Sequence, residues 1–356
     1  MPHGMRPRHV FNKFATAPAI GATVVTIVAG SGAAQTPAVG GKPIVVDVSN
    51  FVRAESDLYF GRYVARGAFG KFFHERTMTP IDKQEIVRMN RDTLYSFAIF
   101  DLEAAPVTVT LPDPGKRFMS MQVISEDHYT IDVVYAPARY ALTKDTIGTR
   151  YVFVGVRTLA NPADVADLKA AHGLQDAIGV EQARTGSFEV PTWDKASQNK
   201  VRAALEVLNT LGGTGTKFGK KSEVDPVGYL TGAAVGWGGN PEHAAIYVGV
   251  YPKANDGKTI HTLSVKDVPV DGFWSVSVYN AKGFFEKNAL EAYSVNNLTA
   301  QPNADGSYTV QFGGCQKNTI NCLPVTPDWN YTVRLYRARK TLLDGTWSFP
   351  EAQPIK

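Results

Sequence analysis

The sequence is poor in cysteine: its 356 residues include only Cys315 and Cys322. The pair brackets a polar loop, CQKNTINC, preceded by Gly313-Gly314. In an oxidising compartment such a pair reads as a disulfide closing a short loop, stabilising by on the order of 2–3 kcal/mol. A metal site is the competing reading, but it needs two further ligands and no His or Cys lies nearby in sequence. Several catalytic signatures are missing as well. No G-x-S-x-G elbow is present, which disfavours a standard α/β-hydrolase esterase. There is no H-E-x-x-H pairing among the seven histidines, and no dinucleotide fingerprint follows a strand. Gly213–Ser222 (GTGTKFGKKS) superficially resembles a phosphate loop, but its spacing fails and it reads as a flexible basic loop. With the cysteines bonded to each other, no thiol nucleophile remains. What is left is acid–base chemistry by carboxylates, His and Tyr, or binding without chemistry.

Net charge is also scarce. The formal +4 includes Arg6, Arg8 and Lys13 in a leader without acids, so the remainder is nearly balanced. This gives no electrostatic footprint for nucleic acid or an anionic membrane surface. Apolar residues at 44% and charged residues at 20% are ordinary globular usage, in a chain long enough for two domains.

The first residues read as an address. Met1–Lys13 is short and basic, Phe14–Gly30 is moderately apolar, and Ser31-Gly32-Ala33-Ala34 supplies small residues before Gln35. That order predicts a secretory signal peptide cleaved after Ala34. An uncleaved anchor is the alternative, against which stand the shortness of the run, Pro18 and the cleavage site. No later stretch reaches the ~18 apolar residues of a membrane span. The expected mature protein is therefore periplasmic or secreted, without stable membrane insertion.

Periodicity predicts a helix over Asn50–Glu75, then short strands at Phe97–Leu102, Val107–Leu111, Phe118–Ile124, Tyr129–Tyr135 and Tyr151–Val156. The last has no polar face and suits a strand buried on both sides. A helical middle follows. One helix opens at Asn161-Pro162 and runs through His172, with Asn161 as its cap. A longer one is capped by Asp194, carries Val201, Leu205, Leu208 and Leu211 along a stripe, and ends at Gly212-Gly213. Strands return at Ala245–Tyr251, Ile260–Val265, Phe273–Asn280, Tyr308–Phe312 and Trp329–Arg337. The order strands, helices, strands makes the chain α+β: a β-rich N-terminal α/β part, a helical middle, and a C-terminal antiparallel β-sandwich of jelly-roll type. The corresponding boundaries are 1–34 for the signal peptide, 35–49 for a linker, 50–190 for the N-terminal domain, 191–240 for a helical connector and 241–356 for the C-terminal domain.

Three polar clusters are candidates for function. In Asn90-Arg91-Asp92-Thr93-Leu94-Tyr95-Ser96, Asp92 could act as general base, Arg91 would keep it ionised and Tyr95 would bond a ligand oxygen. An Asx-type turn before the strand accounts for the same residues. In Glu126-Asp127-His128-Tyr129, acids beside His128 could raise its pKa into the range of a proton shuttle, whereas a solvated turn is the simpler reading. In Gly236–His243, Trp237 among glycines suits a stacking platform for a sugar, or a plug in packing.

The motifs also resemble two domain families. NRDTLYS (90–96), followed by a strand, Asp101-Leu102 and Leu-Pro-Asp at 111–113, resembles the domain of unknown function 1254. FWSVSVY (273–279), NADGS (303–307), NCLP (321–324), WNYTVRLYR (329–337) and WSFP (347–350) resemble the domain of unknown function 1214. The resemblance implies an exported bacterial protein with a β-rich C-terminal sandwich, and carries no family-wide activity. The expected function is thus binding of a small molecule or carbohydrate in a pocket between the domains. Asp92, Tyr95 and His128 are its candidate catalytic residues; Asn90, Arg91, Trp237 and Tyr279 are its candidate ligand contacts. Hydrolysis would be the accompanying chemistry, with no cofactor and no metal, and a homo-oligomer is compatible with it. A non-catalytic structural or interaction protein of the cell envelope is the alternative.

Overall fold

The computed structural model describes residues 41–84 and 87–355. The predicted signal peptide, its cleavage site and most of the linker lie outside them. The described chain divides into two compact units. One comprises residues 41–83 and 89–244; the other comprises 84, 87–88 and 245–355. The helical stretch 191–240 thus groups with the N-terminal unit.

The N-terminal unit contains α1 (Phe51–Ala65), β1 (Phe73–Glu75), β2 (Thr93–Asp101), β3 (Val107–Leu111), β4 (Met119–Ser125), β5 (Thr130–Tyr135) and β6 (Ala138–Leu142). It continues with α2 (Lys144–Ile147), β7 (Tyr151–Leu159), α3 (Val165–Asp176), β8 (Gly179–Gln182), α4 (Lys195–Thr210) and α5 (Pro226–Gly236). Its main sheet has the order β1-β2-β7-β4-β5 and a smaller one the order β6-β3-β8, with every pair antiparallel. Strand alternation sends Ala98, Phe100, Met121, Val123, Val152, Val154 and Val156 to one face. There they share a buried core with Val107, Val109, Leu111 and Leu142 of the smaller sheet.

Several helix boundaries differ from those expected. The first helix ends ten residues early, because Gly67 and Gly70 adopt left-handed φ of 90° and 67° and let the chain leave for β1. Asn161 is consumed in a turn of its own, its side chain accepting from Ala163 N, so α3 starts later, at an Asp164 cap. Asp194 does cap α4, accepting from Ser197 N at 2.8 Å. Along the predicted stripe Leu205 is buried, whereas Leu208 and Leu211 are exposed.

The C-terminal unit contains β9 (Ala245–Val250), β10 (His261–Val265), β11 (Trp274–Tyr279), β12 (Ser294–Asn296), β13 (Tyr308–Phe312), β14 (Cys322–Leu323), β15 (Asn330–Tyr336), α6 (Lys340–Leu343) and β16 (Gln353–Pro354). Two four-stranded sheets, β14-β13-β10-β16 and β12-β11-β15-β9, enclose one apolar core in a sandwich-like arrangement. Leu263, Val265, Val310 and Phe312 face Trp274, Val276, Tyr331, Val333 and Leu335 across it, with Trp329 fully buried. Cys315 and Cys322 form a disulfide that closes the loop before β14. A short segment far upstream in sequence belongs to this unit too. Gln84 exchanges two hydrogen bonds with the backbone of Phe285, at 3.0 and 2.8 Å, much as a strand neighbour would. No helix among the described residues is long and apolar enough to cross a membrane.

Candidate functional site

The other face of the main sheet carries the chemistry. Register places Tyr95, Phe97 and Ile99 of β2 beside Arg157, Gly155 and Phe153 of β7, and those beside Ser120, Gln122 and Ile124 of β4. The middle of this face is aromatic. Tyr63 of α1 lies 4.5 Å from Phe97 and 5.2 Å from Phe153, centroid to centroid. Trp237, just past α5, meets Phe153 edge-on at 5.4 Å and stacks on Tyr59 at 4.7 Å and on His128 at 5.3 Å. Its indole N–H donates to Ser56 Oγ at 3.2 Å. The glycines after α5 permit this approach: a Cβ on Gly239 would sit 2.4 Å from the Phe218 ring. Phe218 also abuts His128, and Thr130 N donates to Gly219 O at 3.0 Å, so the loop expected to be flexible is anchored.

At one end of the face lies an acidic cluster. Asp57 Oδ2 accepts from Trp193 Nε1 at 2.8 Å, while its buried Oδ1 has no ordinary hydrogen-bond donor among the described residues. Burial and the neighbouring Glu126 carboxylate push the Asp57 pKa up to about 8, which favours the protonated form of Asp57 at neutral pH. Arg53 Nη1 lies 3.4 Å from Glu126, and Arg53 Nε donates to Asp127 at 3.1 Å. Asp101 in the same unit shows the opposite outcome. Burial works against its charge, yet Arg150 at 2.9 Å and the amides of Glu103 and Ser187 hold its carboxyl below the usual range. The difference is a guanidinium hydrogen-bonded to Asp101, whereas Asp57 is more deeply desolvated and faces a second carboxyl, which outweigh the attraction of Arg53.

His128 sits in the β4–β5 turn with a left-handed φ of 64°. Its Nε2 accepts from Gly238 N at 2.9 Å, which assigns the ring proton to Nδ1, a buried atom with no partner among the described residues. Burial pushes its pKa down to about 3, opposite to the rise expected from the adjacent acids. The turn turns away from water, and desolvation outweighs the acids' attraction. His128 is therefore neutral at physiological pH, a packed hydrogen-bond acceptor.

The two groups drive stability in opposite directions. A raised carboxyl pKa makes the Asp57 contribution complete below about 3.8, and it is lost as pH rises towards 8. A lowered His pKa makes the His128 contribution complete above 6.5, and it is lost as pH falls towards 3.

At the opposite end, about 13 Å along β4 from Glu126, the face is polar but not acidic. Arg157 donates to Gln122 Oε1 at 2.9 Å and Asn240 Oδ1 at 3.4 Å, and its guanidinium lies 5.7 Å from the Tyr95 ring centroid. Asn90 Nδ2 donates to Tyr95 OH at 3.1 Å. Gln122 Nε2 donates to Gly239 O at 2.8 Å, so the Trp237 loop joins the two ends.

The candidates from sequence therefore separate. His128 and Trp237 meet at the acidic end; Asn90 and Tyr95 lie at the polar end. Asp92 is buried in a turn where its own amide donates to Asn90 Oδ1 at 2.7 Å, the Asx geometry. Arg91 bonds the Thr79 carbonyl. Tyr279 belongs to the C-terminal unit, accepting from Arg334 at 2.7 Å and packing on Phe285. Trp237 has ring neighbours on Tyr59 and His128, so its indole serves packing rather than an open sugar platform. Sequence reasoning missed Arg53, Ser56, Asp57, Trp193 and Arg157. One signal was available: Arg53–Asp57 is a polar run, RAESD, inside a helix otherwise rich in buried apolar residues. Among the described residues no group of three or more His, Cys, Asp or Glu could hold a metal ion.

Residues 69–182 match the family described as "Protein of unknown function (DUF1254)", and residues 251–340 match "Protein of unknown function (DUF1214)". The order is the one its motifs imply. The DUF1254 match includes Glu126 and His128 but not Asp57, Trp193 or Trp237. Among solved structures, the VPA0106 protein of Vibrio parahaemolyticus is similar with a TM-score of 0.65 at 16% identity, covering 87% of this chain and 98% of that one. An uncharacterized protein from Burkholderia cenocepacia has a TM-score of 0.49 at 14% identity, covering 87% of each chain. The first supports the fold alone. None of the curated proteins matches this chain.

Proposed function

From a chain that carries a DUF1254 region followed by a DUF1214 region, we propose an exported small-molecule-binding protein whose N-terminal unit performs acid–base hydrolysis with the Asp57–Glu126 pair. One observation carries the reading: the buried Asp57 carboxyl, bonded by Trp193 at 2.8 Å, neighbours Glu126, which Arg53 approaches at 3.4 Å, and this burial and pairing push the Asp57 pKa up to about 8. A protonated carboxyl can deliver its proton to the leaving oxygen of a glycoside or ester. The second carboxyl of the pair, Glu126, would take one from the attacking water. Arg53 and Asp127, about two-fifths exposed, border the pair on its accessible side. Export rests on the basic, apolar and small-residue order of residues 1–34.

The test is a panel of chromogenic glycosides and esters, run with the wild type and Asp57→Asn. Turnover that declines above pH 8, and at least a hundredfold loss in D57N with a near-unchanged Tm at pH 5, supports the reading. No turnover by the wild type, or undiminished turnover in D57N, overturns it. The deep burial of Asp57 and Glu126, at 3% and 5% exposure, favours a second reading in which the pair is a structural proton store of a non-catalytic binding protein. D57N would then change only the pH dependence of stability.

A further inference from the structure

Each sheet of the described residues ends in two strands, and all of these edges but one are guarded. β1, β12, β14 and β16 have only two or three residues. β8 has four and carries Glu181, and β6 carries Arg139. β5 carries Asp132, and its register on β4 shifts between Val123 and Ile124. Shortness, charge and bulges are what keep a sheet edge from pairing with another chain. β9 in the C-terminal unit has none of them. Its six residues, AIYVGV, include no charge and no proline, and pair with β15 in unbroken register. β9 ends the sheet β12-β11-β15-β9, and among the described residues no isolated bridge reaches its outer edge.

The two faces of β9 differ. Ile246, Val248 and Val250 point into the sandwich core, so Tyr247 and Gly249 point outward. Tyr247 is 37% exposed, and a Cβ on Gly249 would meet nothing within 4 Å. Neither a left-handed backbone nor crowding within the chain requires glycine there. A glycine inside a strand marks a place where another group can approach the backbone closely.

We propose that β9 pairs antiparallel with β9 of a second copy of this chain, centred on Val248, so that two four-stranded sheets become one continuous sheet. A two-fold axis through Val248, perpendicular to the sheet, sets Tyr247 of each copy opposite Gly249 of the other. Each phenol ring then covers the open glycine backbone across the strands, a pairing that rescues glycine in sheets. The strand thus carries both halves of the contact, two residues apart, which is what an isologous interface requires. Centring on Gly249 instead would set Tyr247 against Tyr251 and leave both glycines uncovered. A slip of one residue would turn the core-facing side chains outward. Because β9 has no charged side chain, self-pairing places no like charges opposite each other.

Sedimentation equilibrium of the full chain tests this. The wild type should be dimeric at about 100 μM and dissociate on dilution towards about 1 μM. Gly249→Lys puts a charged side chain opposite Tyr247 of the other copy and should raise the dissociation constant at least tenfold. Since the space above Gly249 is open, G249K should keep the wild-type Tm in dilute solution. The register is read by oxidation of the double variant Y247C/G249C. Its thiols meet those of the other copy at directly opposed positions and should give a covalent dimer, whereas Y247C alone places them too far apart. A wild type that stays monomeric at about 100 μM overturns the proposal, even if the edge takes up an unrelated extended peptide. A dimer that G249K leaves intact overturns it too. Cross-linking of Y247C as efficient as that of the double variant overturns the centring on Val248.

Discussion

Buried charge is distributed unequally between the two units. Among the described residues, the buried acids Glu55, Asp57, Asp92, Asp101 and Glu126 all lie in the N-terminal unit. In the C-terminal unit the perturbed carboxyls sit in exposed turns. Asp305 is held below its ordinary range by the hydroxyl and amide of Ser307, and Asp344 in the same way by Thr346. Its interior is instead apolar, with Phe312 and Trp329 stacked at 5.0 Å, beside a layer of neutral hydroxyls around Arg334. A two-sheet core can be filled with Val, Leu and aromatic side chains because each sheet offers one face of matching alternation. The N-terminal unit packs a helix onto a face that changes from aromatic to polar along its length. Glu55 and Asp57 enter with the helix, Asp92, Asp101 and Glu126 at the ends of strands, and the unit inherits the pH sensitivity that comes with burying them.

This contrast can be broken in the C-terminal unit by creating a void. Trp329→Ala removes a fully buried indole and should cost about 4 kcal/mol, measured as faster hydrogen exchange of the β15 amides. A cost below about 1 kcal/mol would mean the core tolerates collapse there. Next in size, replacing both cysteines by serine releases the loop closed by Cys315 and Cys322. It should lower stability by about 2.5 kcal/mol in urea unfolding, with no change in the acid or alkaline limbs. The smallest effect sharpens the comparison from the N-terminal side. The His128 share of stability should fall by about 2 kcal/mol between pH 7 and pH 5, against the opposite change at Asp57, as the unfolded chain protonates this residue while the folded ring stays neutral. His128→Asn suits the left-handed backbone and should remove that share, so that H128N loses less stability, or gains more, than the wild type over this window. Parallel pH profiles of the wild type and H128N would assign the share elsewhere.

Much of the fold was legible because alternation is local. Val107–Leu111 and Tyr308–Phe312 are strands with the expected ends. The two inner faces of the sandwich follow from residues such as Tyr331, Val333 and Leu335, whose apolar period is two. Helix ends were less legible. Gly67 and Asn161 act through one backbone torsion or one side-chain hydrogen bond, which periodicity over a window averages away. The site was legible only in fragments. His128 and Trp237 stood out as residues, but the pKa of His128 went the other way because sequence proximity to Glu126 and Asp127 does not reveal desolvation. Asp57 was not legible because the run RAESD does not by itself show which side of its helix is buried.

By itself, then, the sequence determined the α+β class, the strand alternation, the disulfide-forming pair and the DUF1254–DUF1214 order. These are encoded in short windows where period, turn chemistry and motif spacing act directly. The tertiary structure alone decided that Asp57 meets Glu126, that Trp237 lies between Tyr59 and His128 in contact, and that Gln84 pairs with Phe285 in the C-terminal unit. Each of those depends on residues far apart in the chain, and on the loss of water when they meet, which changes the free energy of a charge without leaving a mark in its neighbours' identities.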